Sequence, residues 1–342
     1  MIRYPYKGEG VGGFTRYAAS RDQRHLAGLY RAMLRIRRIE EEIERRYHQD
    51  QMKTPIHLVI GQEAAAVGCC AALAPSDLVY SSHRTHGAYL AKGGDLKAML
   101  CEMHCRVNGC AGSRGGSMHL IDKGAGMAGT SAIVGGAVPI AVGAALAAKM
   151  KGERRVVVVF LGDATTEEGV TSESLNFAAL KQVPVIFFCE NNFYSVQSPL
   201  ATRQPATRVI HQWAASHEVP AAEVDGANVL AVEDAVQSAV ARARAGGGPS
   251  FIEARVYRFR AHGGSGDDTR TGYRHEAEPA AWLAFDPITM FGEYLAEWKL
   301  LDADAVAVME EEIGREIADA FEFALASANP TEADLYKHVY AE

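Results

Sequence analysis

The chain has 342 residues, 48% hydrophobic and 23% charged, enough to bury an enzyme-sized core and inconsistent with disorder or low complexity. Its net charge is −7, and no Lys/Arg block supplies the basic patch that a phosphate backbone needs, so nucleic acid is excluded as a partner. No secretory apolar segment follows Met1, and no apolar run approaches the ~18 residues of a membrane helix, so a cytoplasmic protein with no membrane partner is expected.

Ser20 stands at capping-box spacing from Gln23, and Leu26, Tyr30, Met33, Leu34, Ile39 and Ile43 recur at helical intervals, which predicts a long amphipathic helix over about 21–48. Cys101, His104, Cys105 and Cys110 cluster, but no second Cys/His pair follows at finger spacing. They read as part of a half-buried helix, and the six cysteines as free thiols. The run Val156–Leu161, ended by Gly162-Asp163, predicts a strand buried on both faces. Val183–Cys189 predicts a second, and Val170, Leu175, Ala178 and Ala179 place a helix over Glu167–Lys181 between them. That is one strand–helix–strand unit with parallel strands. A helix over about 229–245, the breaker Gly246-Gly247-Gly248-Pro249 and a strand over Phe251–Tyr257 continue the alternation.

Beyond His275 the chain is acidic and helical, with Val306, Met309, Ile313, Ile317, Phe321 and Ala324 on one face, a tail packed on the sheet or on a partner. The expectation is an α/β protein with a mostly parallel sheet flanked by helices and a helical C-terminal tail. Its parts are an N-terminal helical arm (1–50), an α/β domain (51–275) and the tail (276–342).

Ligands of open parallel sheets bind beyond the carboxyl ends of the strands. Asp163 and Asn192 fall there, each just after a predicted strand of the same unit. A carboxylate and an amide oxygen suit a hard cation, and magnesium commonly completes its octahedral shell with water and substrate phosphates. Gly-Asp and Asn-Asn after strands are also ordinary turn chemistry.

The spacing Gly162-Asp163-Ala164, 26 residues, Asn191-Asn192 resembles the thiamine-diphosphate motif, with Ala in place of its third glycine. The segments His57–Ala64, Ser82–Gly87, Arg114–His119, Ile133–Gly136 and Cys189–Tyr194 follow in family order. With them the chain resembles, from about Leu29 to its C-terminal residues, the alpha subunits of 2-oxo acid dehydrogenase complexes and acetoin dehydrogenases.

The resemblance implies a thiamine-diphosphate-binding fold. Asp163, Asn192 and the Tyr194 carbonyl would hold Mg2+, and Arg84, His83 and Arg258 would lie at the diphosphate. Ala164 and Thr165 would approach the phosphates through backbone donors, and the backbone of Ala132 and Val134 would meet the aminopyrimidine. His262 would sit over the reactive ring and assist acyl transfer, with His57 the second candidate for proton chemistry. His83 stands where related subunits often carry Tyr, and Gly263 where animal pyruvate dehydrogenases carry a regulatory phosphoserine.

The implied activity is pyruvate-type decarboxylation of a 2-oxo acid with acyl transfer to a lipoyl acceptor, and His57-Leu58 resembles the pyruvate and acetoin branches more than the branched-chain one. An acetoin dehydrogenase or acyloin-forming subunit is the alternative. The implied partners are a beta subunit carrying the activating Glu, in an α2β2 heterotetramer, and a lipoyl acyltransferase. A non-catalytic relative is disfavoured by the intact Asp163, Asn192 and Arg84, and a nicotinamide dehydrogenase by the lack of GxGxxG after the Val156–Leu161 run.

Overall fold

A computed structural model of the chain describes residues 2–337 and 339–340; Met1, His338, Ala341 and Glu342, which the terminal segments above include, lie outside the described residues. In chain order the strands are β1 (Leu78–Ser82), β2 (Met127–Ser131), β3 (Val157–Gly162), β4 (Val185–Asn191), β5 (Tyr194–Ser195), β6 (Ser198–Pro199), β7 (Ala221–Asp225) and β8 (Ser250–Arg255). Six form one sheet in the order β2-β1-β3-β4-β8-β7, with every pairing parallel. β5 and β6 make a small antiparallel ladder of their own.

The β-branched runs become strands because each residue has an apolar layer to enter on either face. Val156, Val158 and Phe160 pack into one core with the helices Gln23–Tyr47, Glu63–Ala71 and Val229–Arg244. Val157, Val159 and Leu161 pack into another with the helices Ala137–Met150 and Gly169–Lys181. The sheet is thus the middle of three layers.

The expected elements appear with shifted ends. The cap of the long helix is Asp22, not Ser20: its carboxylate accepts the His25 N–H at 2.7 Å, whereas the Ser20 hydroxyl donates to the Tyr17 carbonyl. Ser20 is spent on closing the preceding helix Thr15–Ala18, and only Asp22 holds the extended backbone of a cap. The helix expected from Glu167 begins at Gly169, because Asp163–Glu167 wind into a 3-10 turn. The last core strand ends at Arg255 rather than Tyr257.

After His275 come the helices Ala277–Leu283, Pro287–Glu297 and Ala303–Ala326. Ile313, Ile317, Phe321 and Ala324 of the last are buried, with Val306 and Met309 at the edge of the same face. That helix packs on Gln23–Tyr47 and Leu96–Met103. Its acidic side meets the basic side of the N-terminal helix, with Arg35–Glu316 and Arg38–Glu310 pairs at 2.6 Å. Among the described residues no helix is long and apolar enough to cross a membrane.

Phe188 is wholly buried in the central strand, so Phe188→Ala should cost about 3–5 kcal/mol through lost burial and an unfilled cavity. The measurement is the urea midpoint, which should fall with the native circular dichroism retained.

Candidate active site

β3 and β4 pair with Gly162 opposite Glu190, so Asp163 and Asn191-Asn192 leave adjacent strands at the same level. The turn after β4 is built by the two amides. Asn191 donates to Glu253 at 2.7 Å and accepts the Phe193 N–H at 3.0 Å. Asn192 donates to Gln62 at 3.1 Å and its Oδ1 accepts the Tyr194 N–H at 3.2 Å. These bonds hold Phe193 at φ +70, a left-handed conformation that costs a bulky residue about 1–3 kcal/mol and persists only where its surroundings fix it.

Beyond these strand ends lies a solvent-open cleft of about 660 Å³. His83, Arg84, Val134, Asp163, Ala164, Thr165, Asn192, Tyr194 and His262 all line it, although they come from separate stretches of chain. His57 stands just behind, its ring centroid 4.9 Å from that of His262 and 5.6 Å from that of His83. Ala132 and Arg258 are not among the lining. The Ala132 N–H faces His119 Nε2, and Ile133 and Val134 are exposed at the rim, so this stretch is not core packing. Arg258 lies buried just outside the lining, its Nη atoms bonded to the Arg260 and Val196 carbonyls, Asp268 and Tyr273, and its Nε without a partner among the described residues.

Arg84 dominates the electrostatics. It donates to the Leu58 carbonyl at 2.7 Å and the His262 carbonyl at 2.8 Å, and among the described residues no carboxylate lies within ion-pair distance of it. Burial and the nearby Arg258 push its pKa down to about 9. A buried guanidinium without an anion is unfavourable, and a planar donor fork at a cleft wall suits a phosphate.

On the other wall the Asp163 carboxylate is buried, and among the described residues only Arg203 donates to it, on Oδ2. Its Oδ1 and the second lone pair of Asn192 Oδ1 are oxygen acceptors that suit a hard cation. The donor set therefore fits a metal-bridged diphosphate. Among the described residues the one group of His, Cys, Asp or Glu side chains with ligand atoms within 4.8 Å of one another is His211, Glu223 and Glu253; the cysteines form none, and all six are free.

Sequence reasoning passed over three residues here. Glu190 lines the cleft half-buried, and desolvation raises its pKa to about 7 against the opposing effects of Gln62 and Arg84. Arg203 pairs with Asp163 from 40 residues away. Asp268 gathers Arg258, the His262 N–H at 3.1 Å, Tyr273 and Arg274, and so fixes the glycine-rich loop after His262. A carboxylate next to an Asn-Asn turn was a readable signal for Glu190; neither of the others had one.

Burial first, then Arg84, depresses the pKa values of His57 and His262 from the usual 6.5 to about 3, so both imidazoles are neutral at pH 7. Unfolded histidines take up protons below 6.5 while these two do not, so their contribution is full above that pH and is lost as pH falls toward 3. Urea midpoints should drop through this window, and His57→Gln should flatten the drop; an unchanged slope in the variant would place His57 in a more polar setting.

A family model described as dehydrogenase E1 component matches residues 31–332. The alpha subunit of acetoin:2,6-dichlorophenolindophenol oxidoreductase from Bacillus subtilis (strain 168) is 37% identical over 313 residues, covering 91% of this chain and 92% of the relative. The chloroplastic pyruvate dehydrogenase E1 component subunit alpha-3 of Arabidopsis thaliana is 37% identical over 322 residues, 92% of this chain and 74% of the relative. The testis-specific mitochondrial form of that subunit from Homo sapiens is 34% identical over 313 residues, 91% and 79% of the two chains.

Proposed function

The chain belongs to the dehydrogenase E1 component family, and we propose that it is the alpha subunit of a thiamine-diphosphate-dependent 2-oxo acid dehydrogenase of the pyruvate type. The observation that carries this reading is Arg84: a buried guanidinium that makes no ion pair among the described residues and lines one cleft with Asp163 and Asn192.

Thiamine diphosphate, when bound, supplies the electron sink that lets a 2-oxo acid lose its carboxylate. Arg84 neutralises the diphosphate, with backbone donors of Ala164 and Thr165 beside it. Asp163, Asn192 and the Tyr194 carbonyl would hold magnesium, which would supply charge to neutralise the phosphates. A guanidinium only donates, so the 3.4 Å approach of Arg84 to His262 Nδ1 makes that nitrogen the acceptor and leaves the ring proton on Nε2. His262 is then a neutral donor for an oxygen developing charge during acyl transfer, and His57, packed on its ring, fixes its orientation.

A beta chain completes the site in an α2β2 assembly, and a lipoyl acyltransferase takes the acyl group. The helix Ala137–Met150 supports the partner: it is apolar apart from Lys149, yet Ile140 is 58% and Met150 79% exposed, beside Phe177 and Leu180 of the next helix. Such a face is typical of permanent interfaces. The acetoin-cleaving alternative keeps the same cleft and is favoured by the Bacillus subtilis relative.

Co-expressed with its beta chain, the protein should decarboxylate pyruvate with an artificial electron acceptor, and the alpha chain alone should not. Arg84→Gln should weaken thiamine diphosphate binding about 30-fold or more, as losing a buried charge contact costs about 2–5 kcal/mol. His262→Ala should bind cofactor normally in calorimetry and lose acyl transfer. Cofactor binding undiminished by EDTA would remove magnesium from the scheme, and turnover of acetoin but not pyruvate would select the alternative.

A further inference from the structure

Arg203 is the last residue of the short helix Leu200–Arg203, and its side chain is only 12% exposed. It reaches back across 40 residues to bind two carboxylates, Asp163 Oδ2 through Nη2 and Glu167 Oε1 through Nη1. The contact is not isolated. Arg203 Nε donates to the Ser198 carbonyl at 3.2 Å, Gln204 donates to Glu167 at 2.8 Å, and Arg208 donates to the Thr166 carbonyl at 2.6 Å. The segment Ser198–Arg208 is fastened along the whole 3-10 turn Asp163–Glu167. Asp163 faces the cleft, but Arg203 and Glu167 do not. The guanidinium therefore takes one carboxylate oxygen from outside the cleft lining, and the other, Oδ1, has no donor among the described residues.

We propose that Arg203 is the positioning residue for the metal carboxylate: by holding Oδ2 it fixes the Asp163 side chain so that Oδ1 presents to a divalent cation. This rests on the reading of Asp163 as a metal ligand. A buried carboxylate with one oxygen free would otherwise rotate about its last torsion, and a metal demanding near-ideal octahedral geometry would have to supply the ordering itself. Glu167 has the matching task on the other side. It accepts from both Arg203 and Gln204, which stops the guanidinium from swinging into the cleft and capping both oxygens of Asp163.

The experiment is calorimetric titration of Mg2+ into the co-expressed heteromer at saturating thiamine diphosphate, with the electron paramagnetic resonance spectrum of bound Mn2+ as a second readout. Removing a partner that orients a metal ligand typically weakens the metal by about 10–100-fold. Arg203→Gln should show that loss and a broadened Mn2+ spectrum. Arg203→Lys, which keeps the charge but not the fork, should recover part of the affinity, and Glu167→Gln should give a smaller loss in the same direction. Asp163→Ala separates the two readings. If it leaves Mg2+ binding intact, the metal assignment itself fails. If it abolishes binding while Arg203→Gln binds as tightly as the wild type, or more tightly, Arg203 is a bystander or a competitor and the positioning role is wrong.

Discussion

The register of β3 against β4, with Gly162 opposite Glu190, is the constraint from which the rest of the site follows. A slip by one residue would exchange Val157, Val159 and Leu161 with Val158 and Phe160 between the two cores, reversing every buried side chain at once. Because two separate apolar layers depend on the alternation, the register is held over the whole strand. Its chemical consequence appears at the carboxyl ends, where Asp163 and Asn192 arrive together without either having to be placed by its own loop. Gln62 from another part of the chain then fixes the Asn192 amide, so the turn is tied to the helix Glu63–Ala71 beneath it.

The charge arrangement around the cleft is unbalanced in one direction on each wall. Arg84 donates to two carbonyls and makes no ion pair among the described residues, and burial pushes the pKa values of the three neighbouring histidines down. Asp163 has one cation for two oxygens. An anion alone would satisfy the first wall and a cation alone the second. On the proposed reading, a diphosphate accompanied by a divalent cation would satisfy both.

How much of this the sequence showed depended on burial and distance. β3, β4 and β8 were legible because a short continuous apolar run bounded by turn residues can be stable only where both of its faces are covered. β1, β2 and β7 were not: Leu78–Ser82 mixes apolar and hydroxyl residues, Met127–Ser131 has Gly and small polar residues half exposed at the sheet edge, and Ala221–Asp225 is an edge strand with an exposed carboxylate at Glu223. Asp163 and Asn192 could be read from motif spacing, since their positions follow from adjacent strands. Arg203 and Asp268 could not, because their partners are set by how surface segments fold back, which leaves no periodic trace. Arg258 is a related case: it stands at the expected strand end beside the cleft, and the ties to Asp268 and Tyr273 that fix its guanidinium left no trace in the sequence.

The N-terminal segment belongs to the site for a reason unconnected with sequence motifs. Phe193 and Val196 both sit at positive φ, and neither has the side chain that tolerates it. Something must hold that loop in place. Tyr4 stacks on the Phe193 ring at 4.7 Å and accepts the Ala201 N–H at 2.8 Å, while its carbonyl takes the Trp282 indole. Glu278 collects Tyr194, Tyr257 and the Arg3 N–H on the same side. Residues 3–6 thus lie as a strap across the turn that carries Asn192 and Tyr194 and across the segment that carries Arg203. The helices after His275 supply the strap's anchors, Trp282 and Glu278. Residues 3–6 and the helix Ala277–Leu283 therefore meet over the turn that carries Asn192 and Tyr194, and the conformational cost stored in Phe193 is offset by contacts that neither segment could make without the other.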